Sequence, residues 1–263
     1  MSSTTSSLAE GWDDYFDDVA APEVRALAEA YPDRRSLYVD LIDLHDYDAD
    51  LLEELFADPD RVLSAGAEAL RDRSDAFGRV HVRVRNNPQL LAASGVRARH
   101  LQELVSVEGV VESIDAPGMR ARRAVYECPA CGETLAAAPR GLELADPNRC
   151  DGCGWGGPFE FCRDRSAFVD LQELRLVDPP DERDGDDHRG VDVLLGDDLV
   201  GSVAADDRRV VTGVVRARGD AGRNRFTPYL DAVAVGQARA TGGADDEAIS
   251  DVLESRWQET GGD

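Results

Sequence analysis

The chain has 263 residues and a formal net charge of −24, because 53 acidic residues outnumber 29 arginines and lysine does not occur. The missing lysine excludes a P-loop of the G-x-x-x-x-G-K-[ST] type, Schiff-base catalysis and S-x-x-K acyl transfer, which all need that side chain. The hydrophobic fraction of 42% is ordinary for a globular chain, so the acidity does not indicate disorder. An Asp-rich surface without lysine indicates a halophilic archaeal source, although a high-GC genome would also favour arginine codons.

Residues 1–8 carry neither the basic start nor the apolar stretch of a signal peptide, so we expect a disordered tail there. No run of 18 apolar residues occurs, which predicts no membrane-spanning helix. The expected location is therefore the cytoplasm. Five cysteines in a cytoplasmic protein favour metal binding or buried thiols over disulfides.

Residues 9–78 have apolar positions at helical spacing and are predicted to form a helical subdomain. Pro32 interrupts the pattern. Further along, Asp48 or Asp50 can cap one helix, and Asp58 followed by a proline can begin the next.

From residue 79 onward apolar residues alternate with polar ones, which is typical of β-strands. The alternating runs are 80–84, 104–115, 124–128, 167–177, 191–195, 209–218 and 225–235. They predict a small barrel or sandwich formed by residues 79–127 and 159–239. Gly109 and Gly213 are the expected positions of bulges.

Two further stretches complete the organisation. Residues 178–190 (DPPDERDGDDHRG) are expected to form a polar loop. Residues 240–263 are expected to hold a linker and a C-terminal helix at 246–258. The apolar face of that helix would consist of Ile249, Val252, Leu253 and Trp257.

Charge is distributed unevenly along the chain. Residues 79–123 contain eight arginines against four acids, and residues 208–239 contain seven against two. The three remaining segments carry net charges of −14, −13 and −6. Two basic, β-rich segments in a strongly acidic chain indicate a local binding site for a polyanion.

Four cysteines form two C-x-x-C pairs separated by eighteen residues, and Gly132 and Gly154 follow the pairs. Two such turns place four thiolates around one ion, which predicts a structural zinc ribbon over residues 128–158. The expected Zn²⁺ ligands are Cys128, Cys131, Cys150 and Cys153. Paired redox thiols are disfavoured because neither pair opens a helix after a strand. Cys162 is expected to be a buried thiol.

Arginines concentrate at two places in the basic segments. A Gly-Asp-Ala-Gly turn at 219–222, between two alternating runs, predicts a β-hairpin with cationic arms. The hairpin arginines are Arg216, Arg218, Arg223 and Arg225, and a second group on the strand that enters the cysteine region is Arg120, Arg122 and Arg123. Such arms can contact a phosphate backbone, although arginines also keep an edge hairpin soluble. The two groups together favour nucleic-acid binding across the barrel.

No catalytic constellation is evident in the sequence. Gly152-x-Gly154-x-x-Gly157 formally matches a dinucleotide fingerprint, but it overlaps the second cysteine pair and precedes no helix. The four histidines are scattered, and neither G-x-S-x-G nor H-E-x-x-H occurs. We therefore expect neither a catalytic site nor an ATP site.

Several motifs, in linked order, resemble the N-terminal region of the archaeal minichromosome maintenance (MCM) replicative helicases. The stretches that carry the resemblance are YPDRRSLYVDLIDLHDYDADLLEEL (31–55), HLQELVSVEGVVESID (100–115), RRAVYECPACG (122–132), SAFVDLQELRLVDPP (166–180), HRGVDVLLGDDLVGSV (188–203) and RRVVTGVVRAR (208–218). The resemblance covers about residues 10–238. It implies an α+β, mainly β fold: an OB-fold barrel with a zinc-ribbon insertion and an N-terminal helical subdomain.

The resemblance also implies how such a chain works. Members of the family assemble as rings of six or twelve, with zinc ribbons at the ring-to-ring contact. In the family, hairpins that bear Arg or Lys lie in the central channel, and the resemblance implies that 216–225 is this hairpin and that the loop 178–190 corresponds to one that signals to the motor. Gly118-Met119-Arg120 stands where the family commonly has Arg-Pro-Arg, so one expected DNA-contacting arginine is missing.

The AAA+ motor that follows in the family is absent from this sequence, and a chain without lysine has no Walker A motif. We therefore expect a non-catalytic, ring-forming, nucleoid-associated module that binds single- or double-stranded DNA in replication, as a hexamer or double hexamer. Two alternatives remain open. The chain is an adaptor or regulator that co-assembles with a full-length MCM ring, or it is a fragment of an ATP-dependent DNA helicase.

Overall fold

The computed structural model describes residues 3–137, 142, 144, 147–182, 189–220 and 224–238. The expected linker and terminal helix within 240–263, Arg223, and residues 183–188 of the expected polar loop lie outside these residues. The described residues form a helical part, followed by a β-barrel that carries a cysteine-bearing insertion. No helix among them is both long enough and apolar enough to cross a membrane.

Five helices and a two-stranded sheet form the N-terminal part. The helices are α1 (Ser3–Asp18), α2 (Ala21–Ala30), α3 (Leu41–Tyr47), α4 (Ala49–Ala57) and α5 (Pro59–Asp72), and the strands are β1 (Ser36–Asp40) and β2 (His81–Arg85). The Asp48 carboxylate accepts a hydrogen bond from the N–H of Leu51 at 2.9 Å, so Asp48 rather than Asp50 caps α4. Asp58 caps α5 in the same way, ahead of a proline.

Helix α1 begins at Ser3, so residues 3–8 of the expected disordered tail are helical in the structure. Trp12 on this helix is fully buried against α5, and its indole N–H donates to the carbonyl oxygen of Val62 at 2.9 Å. The ring lies against Gly66, where an added Cβ would approach it to 2.8 Å. This close apolar contact with α5 orders a segment whose polar start gives no helix signal.

Strand β2 belongs to the helical part. The sequence pattern places its residues in the barrel segment 79–127, but β2 pairs in parallel with β1, from Ser36 opposite His81 onward. Val82 and Val84 are buried in the same apolar core as the helices. The alternating pattern identifies a strand without identifying its pairing partner, so the expected boundary after residue 78 is wrong.

Five strands close the barrel. They are β4 (Leu104–Ile114), β8 (Ala167–Val177), β9 (Gly190–Gly196), β10 (Arg208–Asp220) and β11 (Arg225–Gln237). Their order is β4–β8–β9–β11–β10, and β10 pairs with β4 to complete the ring. The β9–β11 pairing is parallel and the others are antiparallel. This is the strand order of an OB-fold, as expected, and branched apolar side chains fill its interior.

One of the two expected bulges is present. The pairing of β10 with β11 shifts between Thr212 and Gly213. At Gly109 the register of β4 with β10 is regular, so the bulge expected there is wrong. An added Cβ on Gly109 would lie 2.8 Å from the carbonyl oxygen of Val177, so this glycine permits a close approach of two strands.

An insertion between the first two barrel strands carries the cysteines. Strand β5 (Gly118–Glu127) pairs with β8 and, further along, with β6 (Thr134–Ala137) and β7 (Glu160–Phe161). A small core of its own forms around Ala124 and Tyr126. A short strand, β3 (Leu90–Ala92), adds to the other edge of β4.

Candidate metal centre and nucleic-acid interface

The four cysteines expected as ligands come together at one point. Their Sγ atoms all lie within 4.8 Å of one another, with 3.6 Å between Cys128 and Cys153 and 3.7 Å between Cys131 and Cys150. Tetrahedral zinc with Zn–S bonds of about 2.3 Å requires sulfur atoms about 3.8 Å apart. The cluster therefore fits a closed Cys₄ metal site, in which no position is left for water or substrate.

The two C-x-x-C turns share one pattern of backbone hydrogen bonds. The N–H of Cys128 donates to the carbonyl oxygen of Glu133, and the N–H of Gly132 donates to that of Cys128, both at 2.8 Å. The second turn has the same bonds at the equivalent positions, at 2.8 and 2.9 Å. Gly132 and Gly154 have φ values of +73° and +77°, which favour glycine. The expected turns at these two glycines are confirmed.

Backbone amides favour the thiolate form in the first turn. Burial opposes ionisation of Cys128, but the N–H groups of Ala130 and Cys131 and the thiol of Cys153 outweigh it and lower its pKa to about 7. The N–H of Glu133 likewise favours the Cys131 thiolate, yet the surrounding sulfur atoms raise the pKa of Cys131 to about 12. A cation at the centre would favour the charged form of all four sulfurs.

The fifth cysteine lies outside this cluster. Cys162 is half-buried, so the expected buried thiol is wrong. Its sulfur lies 3.0 Å from Nη2 of Arg165, whose guanidinium also pairs with Glu127. The residue directly follows β7, at the edge of the insertion, where a side chain keeps contact with solvent.

Strands β10 and β11 form the expected hairpin, with Asp220 opposite Arg225. Arg216, in the part of the hairpin that belongs to the barrel, is only 9% exposed. Its guanidinium pairs with Asp60 at 2.6 Å and with Asp231 at 3.2 Å. Since Asp60 lies on α5, Arg216 joins the barrel to the helical part.

The other hairpin arginines differ from one another in their surroundings. Arg218 pairs with Glu173 and with Asp192, each at 2.7 Å. Arg225 is exposed and has no charged partner among the residues that the structure describes. Phe226, next to it, is 54% exposed. Among the described residues, the hairpin end therefore offers a guanidinium without an ion pair and, on the next residue, an accessible aromatic ring.

The three arginines expected on the strand into the insertion also divide. Arg120 pairs at 3.2 Å with Asp231 on β11, the same carboxylate that pairs with Arg216. Arg122 and Arg123 are exposed and have no ion-pair partner in the described part of the chain. The register of β5 with β8 shifts between Ala121 and Arg123, so Arg122 is the additional residue of a β-bulge.

The sequence did not indicate a cluster of ion pairs that joins the helical part to the barrel. Asp197, in the turn after β9, forms ion pairs with Arg35 at 2.8 Å and Arg79 at 2.9 Å and a hydrogen bond with His81 at 2.7 Å. Burial opposes ionisation of Asp197, but the hydrogen bond with His81 and the charges of Arg35 and Arg79 outweigh it and lower its pKa. The histidine lies 116 residues earlier in the chain, so no local pattern could have connected the two.

Two family models match the chain in succession. A model of the MCM N-terminal domain matches residues 23–93, and a model of the MCM OB domain matches residues 93–219. The chain belongs to the minichromosome maintenance (MCM) family. The two models meet at residue 93, after β2, which agrees with the pairing of β2 inside the helical part.

Curated MCM relatives are similar to this chain at low identity. The minichromosome maintenance protein MCM of Saccharolobus solfataricus is 24% identical over 203 residues, which are 71% of this chain and 29% of that protein. The DNA replication licensing factor MCM4 of Arabidopsis thaliana is 28% identical over 217 residues, which are 76% of this chain and 26% of that protein. The chain therefore spans less than a third of the length of these MCM relatives.

A solved structure supports the same fold. The crystal structure of the N-terminal domain of an archaeal MCM superposes with a TM-score of 0.71 at 23% identity, covering 89% of this chain and 100% of that chain. The expected resemblance to the MCM N-terminal region is thus confirmed. So are the OB-fold barrel and the helical N-terminal part.

Proposed function

We propose that this MCM chain binds DNA during replication and has no catalytic activity of its own. The observation that carries the proposal is the exposed end of the barrel hairpin, where Arg225 lies beside the 54%-exposed Phe226. A guanidinium pairs with phosphate oxygens and an exposed aromatic ring stacks on a base. Both groups on one end of an OB-fold suit a strand of DNA.

The net charge of −24 limits the interactions from which the affinity for DNA can come. The molecule as a whole repels DNA, so affinity has to come from arginines at short range rather than from long-range attraction. At high salt, which the composition favours, the release of counterions contributes little. The orientation of each guanidinium toward phosphate then matters more than the number of positive charges.

The ion that we propose for the Cys₄ cluster is zinc. Four thiolates at tetrahedral spacing are the ligand set of structural zinc sites, and soft sulfur ligands disfavour Mg²⁺ and Ca²⁺. When bound, the ion would supply cross-linking of the two turns rather than reaction chemistry. Cys128, Cys131, Cys150 and Cys153 would hold it, and the backbone amides of both turns would stabilise their negative charge.

We extend the proposal to assembly, on the strength of the family. The chain would form a hexamer or a double hexamer, or would join rings of a full-length MCM, and would associate with the nucleoid. The DNA would be single- or double-stranded.

A protein–protein adaptor is the second candidate function. It is supported by two large side chains on the insertion, Trp155 and Phe161, which are 41% and 37% exposed. Exposed aromatic residues are enriched at protein interfaces. An adaptor of this kind would regulate the ring of a full-length MCM through its insertion and would need no DNA.

Fluorescence anisotropy with labelled single- and double-stranded oligonucleotides tests the proposal. We expect the intact chain to bind, and Arg225→Ala/Phe226→Ala to lower its affinity about tenfold or more, because a stacking contact and a phosphate contact are lost. Arg25→Ala, an exposed arginine on α2 without a charged partner in the described residues, is the control and should change little. Absence of binding by the intact chain, with co-purification of a full-length MCM, would favour the adaptor.

A further inference from the structure

A cleft of about 640 Å³ lies between the helical part and the cysteine-bearing insertion. Four arginines line it: Arg71 at the end of α5, Arg79 just before β2, and Arg122 and Arg123 on β5. Glu68 is the single acid among its described lining residues. In a chain with nearly two acids for each arginine, four arginines against one acid form a local inversion of charge.

The bulge in β5 explains how two successive arginines reach one cleft. On a regular strand the side chains of neighbouring residues point to opposite faces. Since Arg122 is the additional residue of a bulge, the alternation is interrupted there, and both Arg122 and Arg123 line the same cleft. The side chain of the next residue, Ala124, then returns to the buried core of the insertion.

Among the described residues, three of the four guanidiniums have no carboxylate partner. Arg71, Arg122 and Arg123 make no ion pair within the part of the chain that the structure describes, and Arg79 pairs with Asp197 at 2.9 Å. Like charges held around one cleft repel one another unless an anion lies between them. Salt bridges to nearby acids would have been easy to form in so acidic a chain, so the cleft is suited to an anion from outside.

The lining favours a phosphate backbone over an acidic peptide. The apolar groups of the cleft are small, chiefly Ala67, Val80, Ala136 and Ala137. Peptides bind through large apolar anchors in deep pockets, which this cleft lacks. Guanidiniums, by contrast, match phosphate oxygens in paired hydrogen bonds.

We propose that this cleft holds the phosphate backbone of a DNA strand, and that the helical part therefore contributes Arg71 and Arg79 to DNA binding. This inference rests on the proposed DNA-binding function and deepens it. It adds a second contact region, which is built from two parts of the chain and lies away from the hairpin end. A strand bound there would contact the helical part and β5 at the same time.

The test compares two double variants that change the charge equally. Arg71→Ala/Arg122→Ala removes one arginine from each side of the cleft and leaves the Arg79–Asp197 pair intact. Arg25→Ala/Arg163→Ala removes two exposed arginines elsewhere that have no charged partner in the described residues. Anisotropy with a labelled single-stranded oligonucleotide is measured for both variants and the intact chain over a range of KCl concentrations. Circular dichroism and metal content establish that each variant is folded.

We expect the cleft variant to lose about fivefold or more in affinity and its slope of log K against log salt to fall by about 1.4, since each phosphate contact on a single strand contributes about 0.7. The control should keep the slope of the intact chain.

If the cleft variant binds like the intact chain while Arg225→Ala/Phe226→Ala binds weakly, the cleft inference is overturned and the proposed function stands. If the intact chain binds no DNA, both fail. Retention of a labelled polyglutamate peptide by the intact chain, lost in the cleft variant only, would assign the cleft to acidic proteins and overturn the inference.

Discussion

Arg216 and Arg218 on β10 carry the same charge as Arg122 and Arg123 on β5, yet the surroundings of the two pairs are opposite. Arg216 and Arg218 on β10 are each held by two carboxylates of their own chain. Arg122 and Arg123 on β5 are exposed and unpaired in the described part of the chain. In so acidic a protein, an arginine contributes to a binding surface only where no carboxylate of the fold can reach it.

This difference separates two roles that look identical in the sequence. A buried, paired guanidinium holds parts of the fold together, because its removal leaves carboxylates without their partner. An exposed, unpaired guanidinium contributes little to folding and remains available for phosphate. Stability and DNA affinity should therefore respond in opposite ways to substitutions in the two groups.

The largest expected effect is the loss of the metal, which would act on the β5 side alone. Structural zinc supplies about 10 kcal/mol or more of folding free energy in small zinc domains. We expect chelation to release about one zinc per chain and to unfold the insertion that positions β5, while the barrel, with its separate core, stays folded. Hydrogen exchange should show lost protection in residues 124–127 of β5 and in β6 and β7, with retained protection in β10. Release of no zinc would contradict the metal assignment.

Arg216→Ala should have the next largest effect, on stability. It leaves the half-buried Asp231 with one of its two arginine partners, Arg120, and removes the link to Asp60 on α5. We expect a loss of about 2–4 kcal/mol in the free energy of unfolding, measured by urea denaturation. Arg25→Ala, in the same assay, should stay within about 0.5 kcal/mol of the parent chain. Equal stability of the two variants would mean that the Arg216 pairs do not hold the fold.

Asp197→Asn extends the comparison to the arginines that join the helical part to the barrel. Asparagine tolerates the φ of +57° at this position, so the backbone can remain while the charge is lost. We expect a loss of about 1–2 kcal/mol near pH 7. Because the pKa of Asp197 is lowered on folding, its contribution is present above the unfolded value of about 3.9 and is lost as the pH falls through the lower folded value.

The pH dependence of stability gives the matching measurement. Urea denaturation of both chains at several pH values should show the difference between parent and Asp197→Asn shrinking as the pH falls below about 4. A difference that stays constant with pH would show that the carboxylate charge is not what joins the two parts.

Arg122→Ala should have the smallest effect on stability. The side chain is exposed and its guanidinium has no carboxylate partner in the described residues, so we expect a change below about 0.5 kcal/mol. A drop of 2 kcal/mol or more, of the order expected for Arg216→Ala, would show that the two groups of arginines do not differ as the geometry indicates.

Local signals in the sequence predicted the elements of this fold well. The strand expected at 167–177 has those bounds in β8, and Asp58 caps α5 at the expected position. The cysteine spacing predicted the Cys₄ cluster because the chemistry of the turn is contained in six neighbouring residues. Each of these features leaves a pattern within a few neighbouring residues, which the linear sequence can report.

The same local signals could not predict contacts between residues that are far apart in the sequence. Arg216 and its partner Asp60 are 156 residues apart, so the spacing of arginines on β10 could indicate a shared face but not the carboxylates opposite. The same limit misplaced β2, whose alternating residues fit a barrel strand as well as they fit β1. It also concealed the helix that begins at Ser3, which depends on burial against α5.

The bulge at Arg122 has a consequence for sequence variation. Deleting that one residue would restore strict alternation to β5 without touching any charge downstream. Of the two β5 arginines, Arg123 alone would then remain to face the cleft, although the strand would still pair with β8. A change of one residue in the length of β5 therefore changes which side chains face the cleft, so the length of this strand is as informative as its composition.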